Sequence, residues 1–560
     1  MSLFATSVNA HRGIFCRFGA LAACSALLLL GSHASRAQGT TAPNTLAAPM
    51  AVDWKYTEVA TPSNPAGPVY GDNMVFYCTG KKVYAVDART GAKRWSYPAG
   101  TQMSQDALAT PTLADGTLYV PTGDGVYALN STTGELRYPA FKLINGGVVA
   151  SPAVVGSNVY FAGANGKIYG MNGEDGQPLS GTWGSGFNTE TGLMGNLTEY
   201  KGDLYYITSN NVLHCVDTAT ATELWQHRLE GSGDTATPVV KDGLIYITEG
   251  QVLACYHDTG QINWQMITHN TLTCDPAVDN KGDVFIATSA PAVYGIGPDR
   301  TVIWKKPALV DYQINAAPVV AGNLVIVGSD AGGVYALDKS TGDLVWDFSI
   351  APTSVDFTKV PKYNQVVVSP AVADGQLFVV TDDGSLTTFS HDAQDTIPPT
   401  IKPMEPLAGE YCNGQPPFTF KAKISDQGSG LNPASITLTI DGKTIPHASD
   451  ALAATKISGF TFKKDTGILE FILQQTSTGI STALADGHHT VTVTARDWFG
   501  NINTRTWLFT TGDAYPSETT AASLASGNTR MGGGFGGGFG RPGIGGQGGG
   551  GKGAGNGGGD

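Results

Sequence analysis

Oxygen-bearing side chains recur in this chain about every 40 residues: Asp106, Asn145, Glu190, Asp234, Asn270, Asp275, Asn315 and Asn364. Each lies shortly before a short apolar run. A second set, Asp124, Asn165, Asp330, Asp382 and Asp383, falls in the turns that follow. Carboxylates and amides on one surface can hold a basic peptide segment, a cation or a sugar. Lys81 and Lys82 are the main opposing charges. Turn formation also explains Asp and Asn at such places. It explains Asp275 less well, because that residue opens an apolar strand directly. Other chemistries lack their residues. The chain has no C-x-x-C-H, no G-x-S-x-G and no H-E-x-x-H. Its ten histidines are scattered apart from His488-His489. No catalytic residue and no metal ligand is assigned.

A repeated hairpin must position these groups. VYAVDARTGAKRW at 83 returns as VYALNSTTGELRY at 126, LHCVDTATATELW at 213 and VYALDKSTGDLVW at 334. Aligned on it, eight units emerge, anchored at Tyr84, Tyr127, Tyr169, His214, Ala254, Tyr294, Tyr335 and Thr387. The spacing of about 40 to 45 residues is that of a four-stranded propeller blade. Each unit runs from a strand often led by proline (TPTLADG, SPAVVGS, TPVVKDG, SPAVADG) to a second strand, a tight turn, a third strand and a D-x-x-T-G turn. Asp87, Asn130 and Asp338 can accept N–H groups of the turns they open. Gly91, Gly134, Gly176, Gly260 and Gly342 supply positive φ, and unit 4 has Ala221 instead. Trp54, Trp95, Trp225, Trp264, Trp304 and Trp346 share the fourth-strand position. Trp183 arrives a few residues late, and unit 2 has Tyr138. One blade cannot bury its own faces, so these rings are expected to pack between neighbours.

Unit 8 ends at LTTFSHD without a fourth strand, while VDWKYTEV at 52 is a strand without a sheet. The expected closure pairs the two, which removes open sheet edges. The fold expectation is all-β: an eight-bladed β-propeller over 50–393, a linker at 394–400, an Ig-like β-sandwich over 401–511 and a disordered Gly-rich tail over 512–560. The motif Y-A-x-D-x-x-T-G-x-x-x-W, spread over roughly residues 50 to 392, resembles the quinoprotein (PQQ-like) propeller repeat. That resemblance raises a redox reading with pyrroloquinoline quinone and calcium. The catalytic members of that family carry an adjacent cysteine pair, and this chain has none. The repeats also resemble the propeller subunit of the outer-membrane protein assembly machinery, from which the chain departs by its second module.

That module reads from the alternation in SITLTID and HTVTVTARD. It is similar to Ig-like modules of bacterial surface and secreted proteins. Trp498 and Trp507 are expected in or near its core. Asp426, Asp497 and Asn501 stand where such modules sometimes hold calcium, and turn formation accounts for them equally. The tail, GGGFGGGFGRPGIGGQGGGGKGAGNGGG at 532, cannot offset its ordering entropy by burial.

At the N-terminus, basic residues precede FGALAACSALLLLG, an apolar stretch of signal-peptide length, and Ala37 is the expected cleavage point of a 1–37 signal peptide. Leu21-Ala22-Ala23-Cys24 offers a competing lipoprotein site, although the apolar run continues past it. No later segment is long and apolar enough to span a membrane as a helix. The net charge of -13 excludes a nucleic-acid binder. The expectation is an exported protein, periplasmic, cell-surface or secreted. It would be a non-catalytic binding or scaffold protein with an envelope protein or polysaccharide as partner and no cofactor. The alternatives are a quinone- and calcium-dependent dehydrogenase and an outer-membrane assembly factor.

Overall fold

A computed structural model of the chain describes residues 45–58, 65–143, 146–231, 237–350, 364–448, 459–474 and 483–512. The expected signal peptide, Cys24, Asn145, Asp234 and the tail from 513 onward lie outside the described residues.

The protein is all-β and propeller-like. Among the described residues, eight four-stranded antiparallel sheets precede residue 391. Seven are built in chain order from one repeat each: 65–97 (unit 1), 112–142 (unit 2), 153–188 (unit 3), 193–228 (unit 4), 239–267 (unit 5), 277–309 (unit 6) and 319–349 (unit 7). The eighth joins three strands from 371–390 to Ala51–Tyr56, the first described strand of the chain. That strand pairs antiparallel with Leu386–Ser390, with Ala51 opposite Ser390, Val52 opposite Phe389 and Tyr56 opposite Leu386. The first strand of each unit touches the first strand of the next, and Ala371–Ala373 touches Pro65–Gly71. The cycle therefore closes, and first strands line its axis.

Burial follows position. Met74–Thr79, the second strand of unit 1, is buried at every residue. Thr222–Arg228, the fourth strand of unit 4, is mostly exposed. A middle strand has a neighbouring sheet on both faces, whereas an outer strand borders solvent. Eight apolar clusters result, each drawn mainly from two successive units. Cohesion lies in these seams.

One polar contact repeats at the seams. The fourth-strand indole Nε1–H crosses to the turn opening the next unit's last hairpin: Trp54 to Ala88 O at 3.0 Å, Trp95 to Ser131 O at 2.8 Å, Trp225 to Asp258 O at 2.9 Å. Trp264 reaches Pro298 O and Trp304 reaches Lys339 O, both at 2.8 Å. The late Trp183 does the same to Thr218 O from a four-residue helix, Thr182–Ser185, and Tyr138 does it with its hydroxyl to Gly173 O. Burying an indole without a partner for its N–H would cost about 1–3 kcal/mol, so the carbonyl fixes each ring's depth. The turn glycine has a packing role besides its φ: a Cβ at Gly342, with φ +78, would stand 2.6 Å from the Trp304 ring. Ala221 takes the glycine's place in unit 4 and still adopts φ +55.

Residues 400–511 form a four-stranded and a five-stranded sheet around one core that includes Phe420, Phe471, Trp507 and Phe509. Trp507 lies in this core, as expected. Trp498 does not: it packs against the cluster shared by units 7 and 8 and donates its Nε1–H to Asp347 Oδ1 at 3.0 Å. Its position just after a strand end turns it out of the sandwich and toward the ring. Residues 394–399 are held too. Asp395 is buried and accepts the N–H of Ile397.

Candidate functional site

One end of the ring gathers the loops that enter the first strands and the turns between second and third strands. Backbone bonds tie the two sets together in units 2, 3, 4, 6 and 8: Gly123 N to Asp106 O, Ala164 N to Gly147 O, Ser209 N to Gly192 O, Ser289 N to Thr271 O and Asp382 N to Gln365 O. The turns are short because β-ladders run close to their tips, so their side chains face the neighbouring loops.

Of the residues flagged by sequence, Asp106 and Glu190 are exposed here, and Glu190 has φ +66. Asn315 is exposed, and its Nδ2 donates to the Asp330 carboxylate, 2.9 Å from each oxygen. Asn364 is buried and donates to Asp383 Oδ2 at 3.1 Å. Asn270 is half-buried, and its carbonyl accepts from Thr268 Oγ1. Amide and carboxylate are thus paired inside a unit, and the carboxylate's remaining lone pairs are what a ligand would meet. Lys142 was not singled out by sequence. Its Nζ lies 2.5 Å from Asp124 Oδ2 and 4.2 Å from the centre of the Tyr127 ring, so it neutralises the unit 2 sector of the same end. Its place in a two-residue fourth strand, Phe141–Lys142, carries no sequence signal.

Asp275 belongs elsewhere, to a collar around the axis. The corresponding residue of each unit, two before the first ladder pair or, in units 1 and 4, two before the ladder resumes past its irregularity, is Gly67, Thr110, Ser151, Asn196, Thr237, Asp275, Ala317 or Ser369. From unit 3 to unit 6 this position forms a relay. Ser151 N donates to Asn196 Oδ1 at 2.8 Å, Asn196 N to Thr237 Oγ1 at 3.1 Å, and Thr237 N to Asp275 Oδ1 at 2.8 Å. Asp275 is the one charged member. Burial pushes its carboxyl up to about 6, against the pull of the Thr237 N–H. The folded state therefore favours the protonated acid. That contribution to stability is complete below about pH 4 and is lost as pH rises through about 6. Asp275→Asn keeps an acceptor for Thr237 and removes the charge. The variant is expected to be more stable than the wild type by about 1–2 kcal/mol at pH 8 and no more stable at pH 4. Thermal unfolding at the two pH values measures this; an equal gain at both would show that charge is not the cause.

Three further carboxylates meet where ring and sandwich join. Oxygens of Asp395, Asp426 and Asp497 all lie within 4.8 Å of one another. Asn501 adds its N–H groups, bonded to both oxygens of Asp497. The sequence had flagged Asp426, Asp497 and Asn501 but not Asp395. An all-oxygen set of this kind is the donor type hard divalent cations take. Internal donors also serve it: Gly428 N and Gly430 N to Asp426, and Ser429 N and Oγ to Asp395. Burial raises the carboxyls of both Asp426, to about 6, and Asp497.

The redox reading requires a quinone seat. Cys78, Cys215, Cys255 and Cys274 are free thiols, each buried, and Cys412 is half-buried. Burial pushes the Cys215 and Cys274 thiols up to about 12, which makes them packing groups. From unit 3 to unit 6 the collar at the axis is Ser151, Asn196, Thr237 and Asp275 in successive hydrogen bonds, and none of the eight collar positions is a cysteine.

The family comparison falls on the residues of the ring. A family profile described as outer membrane protein assembly factor BamB matches residues 51–266, 249–360 and 293–396. The BamB of Burkholderia pseudomallei is 26% identical over 267 residues, which is 46% of this chain and 56% of the relative. That of Yersinia pestis is 24% identical over 250 residues, 42% and 53% respectively. The chain spans about half the length of the curated relatives it matches. Among solved structures, a quinohemoprotein alcohol dehydrogenase of Pseudomonas putida overlaps 65% of this chain and 79% of its own at 13% identity, with a TM-score of 0.46.

Proposed function

Because the chain belongs to the family of the outer membrane protein assembly factor BamB, we propose that it is a non-catalytic scaffold of the cell envelope that assists the assembly of envelope proteins. The observation that carries this reading is the family match itself, which runs through all eight units of the ring. The eight sheets are read as the blades of one propeller closed by the borrowed strand, and the two C-terminal sheets as an Ig-like sandwich. Export by the 1–37 signal peptide would bring the chain to the envelope. No helix among the described residues is long and apolar enough to cross a membrane.

The loop-bearing end of the ring is the proposed docking face. Asp106, Glu190 and Asp330 are acidic there, and the partner chemistry that fits is a protein segment with basic side chains. Photo-crosslinking groups placed at Asp106 and Glu190 in intact cells test this. The expected result is one recurrent envelope protein, captured from these positions and not from the outer-strand residue Leu224. Capture should weaken as salt rises, since exposed charge pairs are screened within about 8 Å at physiological ionic strength. Recovery of abundant bulk proteins alone would overturn the reading. So would reduction of an artificial acceptor with an alcohol or sugar after adding pyrroloquinoline quinone and calcium.

A further inference from the structure

Seven seams of the ring carry the same bond, from an aromatic in or just before the fourth strand to the turn after the third strand of the next unit. The seam between units 7 and 8 cannot. Unit 8 has no such turn, because its third strand, Leu386–Ser390, pairs with Ala51–Tyr56 from the other end of the chain. After Ser390 the polypeptide leaves for the sandwich. Yet Trp346 is wholly buried, and its Nε1–H is not left alone: it donates to Ser429 O at 2.9 Å.

We infer that the Ser429 loop of the sandwich replaces the missing turn, so that the C-terminal module is a clasp on the closing seam of the ring. The loop is built for that place. Ser429 is fully buried, with its N–H and hydroxyl both on Asp395 Oδ2 at 2.8 and 2.7 Å. Gly430 has φ +86, and a Cβ there would stand 2.7 Å from Asp347 O in the fourth strand of unit 7, Leu344–Ser349. Gly428 O accepts the N–H of Val52 at 2.9 Å, which joins the clasp to the borrowed strand. All three partners of the seam therefore meet in three residues.

A second anchor fixes the module's angle. Lys464 Nζ reaches from the sandwich to Asp347 Oδ2 at 2.9 Å and Asp311 Oδ2 at 3.4 Å, and Tyr312 donates to Asp465 Oδ2 at 2.7 Å. Asp347 also accepts the Trp498 indole N–H. A carboxylate as buried as Asp347 needs such partners; without them its desolvation would stand uncompensated. The ring therefore contains, in unit 7, an outer strand that is correctly solvated only with the sandwich in place. A module on a loose linker would leave both the indole and the carboxylate unserved.

Hydrogen exchange and calorimetry on the full chain test the clasp. Gly430→Leu should raise exchange at least tenfold in 51–56, 344–349 and 386–390, leave 112–228 unchanged, and split one unfolding transition into two. Should that variant fail to fold its sandwich, Trp346→Phe removes the donor from the ring side alone. It should then raise exchange in 426–431, whereas Trp304→Phe at an ordinary seam raises it in 338–343. The inference is overturned if the wild type already unfolds in two independent transitions. It is also overturned if the closing strands keep their protection in Gly430→Leu, or if Trp346→Phe leaves 426–431 unchanged.

Discussion

Deletion of residues 45–56 is expected to open the ring and produce self-association, with a fall in melting temperature of more than about 10 °C. The deleted segment supplies more than one strand. Leu46 and Met50 are buried in the cluster between units 7 and 8, and Trp54 serves the seam between units 8 and 1. Losing those side chains from two cores removes on the order of 5 kcal/mol or more. The backbone loss adds to this. Leu386–Ser390 is buried along its whole length and would become a bare edge, the form of strand that recruits another chain. Size-exclusion chromatography and thermal unfolding of the deletion variant measure both effects. Adding a peptide of sequence 45–56 should reverse the self-association by refilling the same ladder. A deletion variant that stays monomeric with an unchanged melting temperature would show that the ring closes without this strand.

Trp304→Ala should be the most damaging single substitution at an ordinary seam. Trp304 is 1% exposed and lies in the cluster shared by units 6 and 7. Glycines on both sides make room for it: a Cβ at Gly295 or Gly342 would come within 2.9 or 2.6 Å of the ring. A surface shaped this closely cannot collapse into the void, so the loss should be about 3–5 kcal/mol. Trp95 and Trp225 occupy the equivalent place but remain half-buried, and their alanine variants should lose roughly half as much. Denaturant or thermal unfolding of the three variants gives the order. Equal losses would mean that the indole hydrogen bond, common to all three, matters more than the packing around it.

The repeat was legible because its chemistry is short-range. Asp87 Oδ1 accepts the N–H of Arg89 and Thr90, at 3.2 and 2.8 Å. Asn130, Asp217 and Asp338 do the same for the turns they open. The side-chain hydrogen bonds of Asp87 to Thr90 and Arg94 hold its carboxyl down to about 2, so it is charged at neutral pH. Bonds between residues two to seven apart write themselves into spacing, and the period of the units follows. The candidate face was legible in outline for the same reason, because turn-forming Asp and Asn mark where turns are. Its pairings, such as Asn315 with Asp330 across a unit or Lys142 over Tyr127, were not.

Trp498 shows where sequence reading stopped. It sits in ARDWFGN, a turn of the second module, and nothing local distinguishes it from a core residue of that module. Its partner is Asp347, 151 residues away. Asp395 likewise falls in a proline-rich stretch that looked like a tether, and it holds the loop that receives Trp346. Sequence alone determined the strands, the turns, the aromatic seam position and the need for a borrowed strand, since each rests on alternation or on hydrogen bonds within a few residues. Tertiary structure decided the protonation preference of Asp275, the neutralised sector at Lys142 and the union of ring and sandwich at Ser429. Those depend on burial and on contacts between different strands and loops, from the 18 residues between Lys142 and Asp124 through the 38 between Thr237 and Asp275 to the 83 between Trp346 and Ser429, and no spacing rule encodes them.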